Sequence, residues 1–191
     1  MNRFDEVAKL PAAELENILK EGTKTDEGKL EGWLWHGLSL AMAPPLFAIF
    51  GRFGKAFHRD VSPLPGRDPE RAGMLRGWNV RMSQKGATGW NPLEFRGKTV
   101  TYGHYDVITS PDGQLAKTYP NAFLIDYGKA GNRPWDPLGR VRDWVVAVDD
   151  DVLVGRMYLS LGGRSVPTPS YFALARGARL TDIAVPPAFR G

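Results

Sequence analysis

Apolar and polar positions alternate with a period of two over much of the chain beyond residue 28, a pattern typical of β-strands with one face in a core. Sequences rich in glycine, proline, asparagine and aspartate interrupt this alternation and predict turns. Strands at this density, with no long helix between them, predict an antiparallel barrel or sandwich. The strands are predicted near residues 30–38, 74–83, 93–108, 121–128, 141–148, 152–161 and 170–177.

The first of these strands, "LEGWLWHGL" (30–38), is apolar on both faces. One face carries Trp33 and Trp35, and the other carries Leu34 and His36. Neither face is suited to water, which fits a strand with a barrel interior on one side and a covering element on the other. We therefore predict that the tryptophans close one end of a barrel, and that glycines let the strand bend at a corner.

Two segments have the pattern of helices. Residues 12–20 are strong helix formers followed by a glycine stop. A second helix is predicted near residues 45–58, because it begins at a double proline and repeats phenylalanine at three- and four-residue spacing. This aromatic face either packs on the barrel or forms a lid over a ligand cavity, with basic residues near its end to meet a polar head. The phenylalanines are Phe47, Phe50, Phe53 and Phe57.

With 191 residues the chain has the length of one domain. We expect an N-terminal helix and turn over residues 1–27, a barrel that includes the helix over 28–180, and a tail over 181–191. The chain has no cysteine, which excludes disulfides and a thiolate metal site. The N-terminus has no signal-peptide pattern and no apolar run is long enough to cross a bilayer, so we expect a cytoplasmic protein without a membrane span.

Basic residues are concentrated in the middle third of a chain whose net charge is +4. A basic stripe can bind nucleic acid or another anion, but a solvated surface explains it as well, and no nucleic-acid motif accompanies it. We keep a nucleic-acid or protein interaction module as an alternative, with nucleic acid the less favoured partner. The residues are Arg52, Lys55, Arg59, Arg67, Arg71, Arg76, Arg81 and Lys85.

The first strand and several later segments together resemble the bacterial GXWXG family, in which the domain of that name precedes a second conserved region. Trp35 and Gly37 match the motif, although its first glycine falls at a position that holds Trp33. The resemblance implies a lipocalin-like antiparallel β-barrel with a short N-terminal helix and one helical insertion, and it brings no catalytic residues. The further matching segments are "GRFGKAF" (51–57), "NAFLIDYGKAG" (121–131), "VVAVDDDVLVGRM" (145–157) and "PSYFALAR" (169–176).

The strand "VTYGHYDVI" (100–108) offers a candidate catalytic row, since strict alternation puts Tyr102, His104 and Asp106 on one face. Such a row could move protons on a bound carbonyl or hydroxyl compound, as an isomerase or cyclase would. The three side chains could equally form a ladder of hydrogen bonds on a solvent-exposed face of the strand. We keep an enzyme that uses this row as an alternative, and we expect binding without catalysis.

The expected function is the binding of a small hydrophobic or amphiphilic molecule in the barrel cavity, with an acidic head as one option for the ligand. No cofactor is expected, but haem needs only one axial histidine and stays open as an alternative. No metal site is expected, because the three histidines lack zinc spacing and "DDD" (149–151) fits a hairpin tip better than a calcium loop. The expected ligand-binding residues are Trp33, Trp35, His36, Phe50, Phe53, Tyr102, His104 and Arg156.

Overall fold

A computed structural model of the chain describes residues 2–40, 50–59, 73–85, 89–128 and 130–184. Eight antiparallel strands close into a barrel, and a two-stranded hairpin (β4 and β5) projects between two of them. The fold is therefore mainly β, as a lipocalin-like barrel requires. The strands are β1 Trp33–Ser39, β2 Arg52–Arg59, β3 Leu75–Arg81, β4 Glu94–Phe95, β5 Lys98–Thr99, β6 Thr101–Ile108, β7 Phe123–Asp126, β8 Val141–Ala147, β9 Val152–Leu161 and β10 Arg164–Arg179.

Each barrel strand pairs with the barrel strands before and after it in the chain, and β1 pairs with β10 to close the wall. The hairpin predicted over residues 141–161 is confirmed: β8 and β9 pair from Val141 opposite Leu159 to Ala147 opposite Leu153, with "DDD" at the turn. The start of the last strand, predicted near residue 170, is wrong, because β10 begins at Arg164.

Short helices cover the outside and one end of the barrel. They are α1 Arg3–Val7, α2 Ala12–Glu21, α3 Glu27–Leu30, α4 Gln114–Thr118 and a 3₁₀ helix over Pro137–Arg140. The helix predicted over residues 12–20 is thus confirmed. Helix α2 buries Leu15 and Leu19 in an apolar cluster with Val146 and Val154 on the outer face of β8 and β9. Among the described residues, no helix has both the length and the apolar character needed to span a bilayer.

The helix predicted near residues 45–58 is wrong over its second half, where Arg52–Arg59 form strand β2. Residues 41–49, including Phe47 and the double proline, lie outside the described residues. Phe53 and Phe57 share one face of β2, because a four-residue spacing keeps two side chains on one side of a strand as well as of a helix.

Alternation sorts each strand into an inner and an outer face. Residues directly opposite one another on paired strands share a face, so Trp35, Lys55 and Asn79 lie on one side of β1, β2 and β3. Lys55 contacts Asp143 of β8, which stands across the barrel, and this side is therefore the interior. On β1, the predicted division of Trp33 and Trp35 from Leu34 and His36 agrees with the register.

The two ends of the barrel differ. At one end, α3 places the fully buried Leu30 in the interior cluster, with Asp26 capping the helix. We call this the α3 end. The opposite end is called the rim, and the connections over residues 82–100, 127–140 and 162–163 lie there, since antiparallel neighbours turn at alternate ends.

Candidate functional site

The most unusual interior residue is Lys55, whose side chain is only 2% exposed. It lies on β2 between Phe53 and Phe57, and all three side chains face inward because they are two residues apart. Desolvating an ammonium group costs several kcal/mol unless it is paired and hydrogen-bonded. The surroundings of Lys55 therefore show what offsets this cost.

Three polar side chains accept hydrogen bonds from Lys55 Nζ: Asn79 Oδ1 at 3.1 Å, the Tyr127 hydroxyl at 2.5 Å and Asp143 Oδ2 at 3.0 Å. The Tyr127 hydroxyl also donates to Asp143 Oδ2 at 3.1 Å, and Asn79 Nδ2 donates to the Tyr127 oxygen at 3.3 Å. An ammonium group has three protons, so this set satisfies it completely. We call Lys55, Asn79, Tyr127 and Asp143 the Lys55 cluster.

Aromatic rings enclose the same ammonium group. The ring centroids of Phe53, Tyr105, Tyr127 and Phe172 lie 5.0 to 5.6 Å from Lys55 Nζ. Cations interact favourably with ring faces at distances up to about 6 Å, more strongly when water is excluded. The interior thus combines a hydrogen-bonded charge pair with an aromatic cage.

Burial shifts the titration of the cluster. Desolvation lowers the pKa of Lys55, and the neighbouring Asp143 carboxylate opposes part of this shift. Burial raises the pKa of Tyr102 to about 12, and it raises the pKa values of Tyr105 and Tyr127 well above their usual value. The tyrosine hydroxyls therefore stay protonated at neutral pH and can donate hydrogen bonds.

Glycines on the inner wall make room for the rings. A Cβ atom on Gly37 would lie 2.4 Å from the Phe53 ring, and one on Gly155 would lie 2.1 Å from the Phe172 ring. Both contacts are far inside van der Waals distance, so each ring lies against the wall backbone where a side chain would otherwise be. The mixture of glycine and aromatic residues in the sequence reflects this packing, whereas the bend predicted at the glycines stays a prediction.

The predicted row of Tyr102, His104 and Asp106 is wrong as a single face. A register shift places Asn79 opposite Tyr102 while Trp78 is opposite His104, so an extra residue interrupts the alternation. That residue is Gly103, with φ of +52°. Tyr102 shares the inner side with Asn79, whereas His104 lies beside Trp78 on the outer wall.

The expected ligand-binding residues divide between the two sides of the barrel. Trp35 and Phe53 lie in the interior cluster, Trp33 packs against it, and Phe50 contacts the Tyr102 ring at 6.1 Å between centroids. The other three lie outside, so their expected place in the cavity is wrong. They are His104, His36, which stacks on Trp90 at 5.0 Å, and Arg156, which donates to Glu16 at 2.8 Å.

The histidine positions also bear on haem. His36 and His58 alternate with inward residues on β1 and β2, and His104 follows the bulge, so all three point out of the barrel. None of them could ligate a haem in the interior. Among the described residues, no three histidine or carboxylate side chains are grouped to hold a metal ion.

The basic middle third does not form one stripe in the described part of the chain. Lys55 is inside the barrel, and Arg76 is buried at a position opposite Asp106. Arg59 binds Glu27 and Glu31 at the α3 end. Arg67 and Arg71 lie outside the described residues. A continuous nucleic-acid footprint along this sequence segment is therefore not present in the described residues.

Two small cavities lie towards the α3 end. One, of about 100 Å³, is lined in part by Trp35 and Thr25, and neither Trp35 Nε1 nor Thr25 Oγ1 has a hydrogen-bond partner among the described residues. This volume is large enough to admit water to these two groups. The other, of about 190 Å³, lies beside α4 and includes Ser110 and Asn121. Around Lys55, by contrast, side chains occupy the interior.

No protein-family model matches the chain, and no curated protein matches it. The resemblance to the GXWXG family therefore stays a prediction. Among solved structures, the chain is similar to the crystal structure of a protein from Thermomonospora curvata, with 18% sequence identity and a TM-score of 0.39. That alignment covers 93% of this chain and 100% of the other.

Proposed function

We propose that the barrel binds a small molecule with an apolar body and a polar acceptor head, and that the Lys55 cluster binds the head. The observation that supports this most is a lysine, 2% exposed, held with Asp143 inside an aromatic wall. A well-packed apolar pair in the same place would often be as stable or more stable. The cost of the polar pair is therefore better explained by binding than by folding.

The charge balance favours a neutral head. Asp143 already compensates Lys55, so a carboxylate would bring a second, uncompensated negative charge into a dry interior. A ketone, aldehyde or hydroxyl oxygen could instead accept from Lys55 Nζ in place of Asn79 Oδ1. Asn79 Nδ2 is a further donor within the cluster, and the Tyr127 hydroxyl could turn its single proton from Asp143 to the ligand. This narrows the expected amphiphilic ligand from an acidic to a carbonyl or hydroxyl compound.

Access requires the aromatic cage to rearrange. The rings of Phe53 and Phe172 meet edge to face, 5.9 Å apart, and each is seated against a glycine of the wall. Rotation of these rings towards the rim would free space beside Lys55 Nζ for an acceptor. Catalysis is not part of the proposal, because the bulge at Gly103 separates Tyr102 from His104 and Asp106.

The test compares ligands with the same medium-length alkyl chain and different heads: a methyl ketone, a primary alcohol and a carboxylate. Each competes with a neutral fluorescent dye for the purified protein. We expect the ketone and alcohol to displace the dye more strongly than the carboxylate. Failure of the dye to bind, or equal competition by all three heads, would contradict the proposal.

Two tyrosine variants locate the head group. Tyr127→Phe removes a hydroxyl of the Lys55 cluster, and we expect ketone affinity to fall about 2- to 10-fold, as for loss of one hydrogen bond. Tyr158→Phe is the control, since its hydroxyl contacts Tyr119 on the outside of the barrel. Near-UV circular dichroism confirms that both variants are folded. Native mass spectrometry of protein from its own host would then identify the bound molecule.

A further inference from the structure

Exposed apolar side chains gather at the rim of the barrel. Among the described residues, six large hydrophobic side chains are exposed, and five of them lie on rim connections or beside them. The sixth is Ile183, beyond the last strand. The five at the rim are Leu93 (38%), Phe95 (66%), Trp135 (74%), Leu161 (44%) and Val166 (41%).

These side chains come from three separate connections. Leu93 and Phe95 belong to the β3–β6 connection, Trp135 to the β7–β8 connection, and the last two flank the β9–β10 turn. Phe95 sits at the tip of the β4–β5 hairpin, whose turn residues Arg96 and Gly97 both have positive φ. A rim at which three connections each expose apolar side chains is not explained by packing within the chain.

The same rim is basic. Its described residues 81–85, 89–100, 126–128, 130–140 and 161–166 include three acidic side chains: Glu94, Asp126, which forms an ion pair with Arg142, and Asp136, which caps the 3₁₀ helix. Seven exposed basic side chains lie in these ranges: Arg81, Lys85, Arg96, Lys98, Arg133, Arg140 and Arg164. The α3 end, in contrast, mixes acids and bases in ion pairs such as Arg59 with Glu27.

At two tips an arginine covers the exposed ring. The Arg96 guanidinium lies 5.3 Å from the Phe95 ring centroid, and the Arg133 guanidinium lies 5.3 Å from the Trp135 ring centroid. This arrangement places a cation beside each ring that would enter an apolar phase. Aromatic rings with adjacent basic groups are typical of the interface between a bilayer and water.

We propose that the rim docks on the surface of a lipid bilayer that contains anionic lipids. The apolar tips would enter the boundary between head groups and acyl chains, and the seven basic side chains would lie level with anionic phosphates. Three of the five exposed apolar side chains at the rim are aliphatic and cannot stack on nucleobases, which favours a membrane over nucleic acid. This proposal does not depend on a ligand in the barrel.

The experiment is co-sedimentation of the purified chain with vesicles made of equal parts phosphatidylglycerol and phosphatidylcholine, and with vesicles of phosphatidylcholine alone. We expect binding to the mixed vesicles, weaker binding to the neutral ones, and loss of binding as salt is raised. No binding to the mixed vesicles at low salt would overturn the proposal. So would equal binding to both compositions.

Paired variants separate the apolar and basic contributions. Phe95→Ser with Trp135→Ser should lower affinity for the mixed vesicles about tenfold or more, whereas Ile183→Ser, at a side chain 52% exposed and outside the three rim connections, should not. Arg96→Gln and Arg133→Gln should each lower it about fivefold. Lys117→Gln at the α3 end is the matched control. Equal effects of the rim variants and their controls would contradict docking by the rim.

The same protein samples also test two alternative occupants of the rim, a second copy of the chain and nucleic acid. Analytical ultracentrifugation of the chain without lipid would detect a dimer, and a dimer lost in the Phe95/Trp135 variant would assign the rim to self-association instead. Binding of single-stranded RNA that is tighter than binding of the mixed vesicles at the same salt would assign it to nucleic acid. Either result overturns the membrane proposal.

Discussion

The ammonium group of Lys55 is 3.0 Å from a carboxylate oxygen of Asp143, and the two residues belong to strands that face one another across the barrel. In the ring of eight strands, β2 and β8 are separated by three strands in either direction. The ion pair therefore crosses the interior. It links two strands that do not pair with one another.

Removing one member of this pair should be costly. Lys55→Met leaves Asp143 buried without its charge partner, and we expect the free energy of unfolding to fall by about 3–5 kcal/mol. The double variant Lys55→Met/Asp143→Leu should recover most of that loss, because an apolar pair of similar volume carries no desolvation penalty. Urea unfolding measures both. A double variant no more stable than the single one would show that the pair contributes through packing alone.

Replacing Gly155 by alanine should destabilise the chain by about 1–3 kcal/mol, because the new methyl group meets the Phe172 ring. Gly139→Ala is the control, since no atom lies within 4 Å of a Cβ there. If the ring is the obstacle, adding Phe172→Leu to Gly155→Ala should restore part of the loss. Thermal unfolding of the four proteins tests this.

Glu16 of α2 connects the helix to the barrel wall. Its Oε2 atom accepts from Arg156 Nη1 at 2.8 Å and from the Tyr171 hydroxyl at 2.9 Å, and its Oε1 atom accepts from the Tyr119 hydroxyl at 2.8 Å. Glu16→Ala should lower the free energy of unfolding by about 1–3 kcal/mol, since three donors lose one acceptor. Glu14→Ala, at an exposed position of the same helix, should change it little. Equal losses would contradict a role for these hydrogen bonds.

The tyrosines predict a loss of stability at alkaline pH. Tyr102 titrates near 10 when unfolded and at about 12 when folded, so the native state holds its proton more tightly in between. Its stabilising contribution, on the order of 2 kcal/mol, is complete below pH 10 and is lost as the pH rises through 12. Tyr105 and Tyr127 shift in the same direction. Tyrosinate absorbance, measured as a function of pH with and without urea, gives the tyrosine titration in the folded and unfolded chain.

The pKa shift of Lys55 has the opposite sign to that of Tyr102, and it affects stability over a lower range of pH. Its folded pKa is below the unfolded value of 10.5, so the unfolded chain binds more protons there, and this term raises stability with pH until 10.5. Above that point only the tyrosines contribute among these groups. Tyr102→Phe should therefore lose less stability between pH 10 and 12 than the parent chain. An unchanged slope would contradict the assignment to Tyr102.

Much of the barrel could be predicted from alternation, but the interior cluster could not. The segment "GRFGKAF" explains why, because Phe53 and Phe57 share a face in a helix and in a strand alike. In a helix, Lys55 would lie away from the phenylalanines and face water. In the strand it lies between them and faces the interior. The choice of secondary structure thus decided whether the interior position of Lys55 could be recognised.

The prediction that Tyr102 and His104 share one face is wrong for a different reason. Their two-residue spacing predicts a shared face only if the strand is regular, and Gly103 supports a bulge between them. A glycine inside a strand pattern is a known signal of a bulge, so this part was accessible from the sequence. The partners Tyr127 and Asp143 were not, because nothing local indicates that residues 88 positions apart, as Lys55 and Asp143 are, meet in space.

Closure of the wall by β1 and β10 has a consequence for biosynthesis. Trp33 is opposite Arg179 in the finished sheet, so residues up to 179 must leave the ribosome before the first strand has its full pairing with the last. Until then β1 has an unpaired edge, which is a template for association with other chains. Contacts at such sequence separation also make folding slow. A nascent chain stalled before residue 164 would therefore be a target for chaperones.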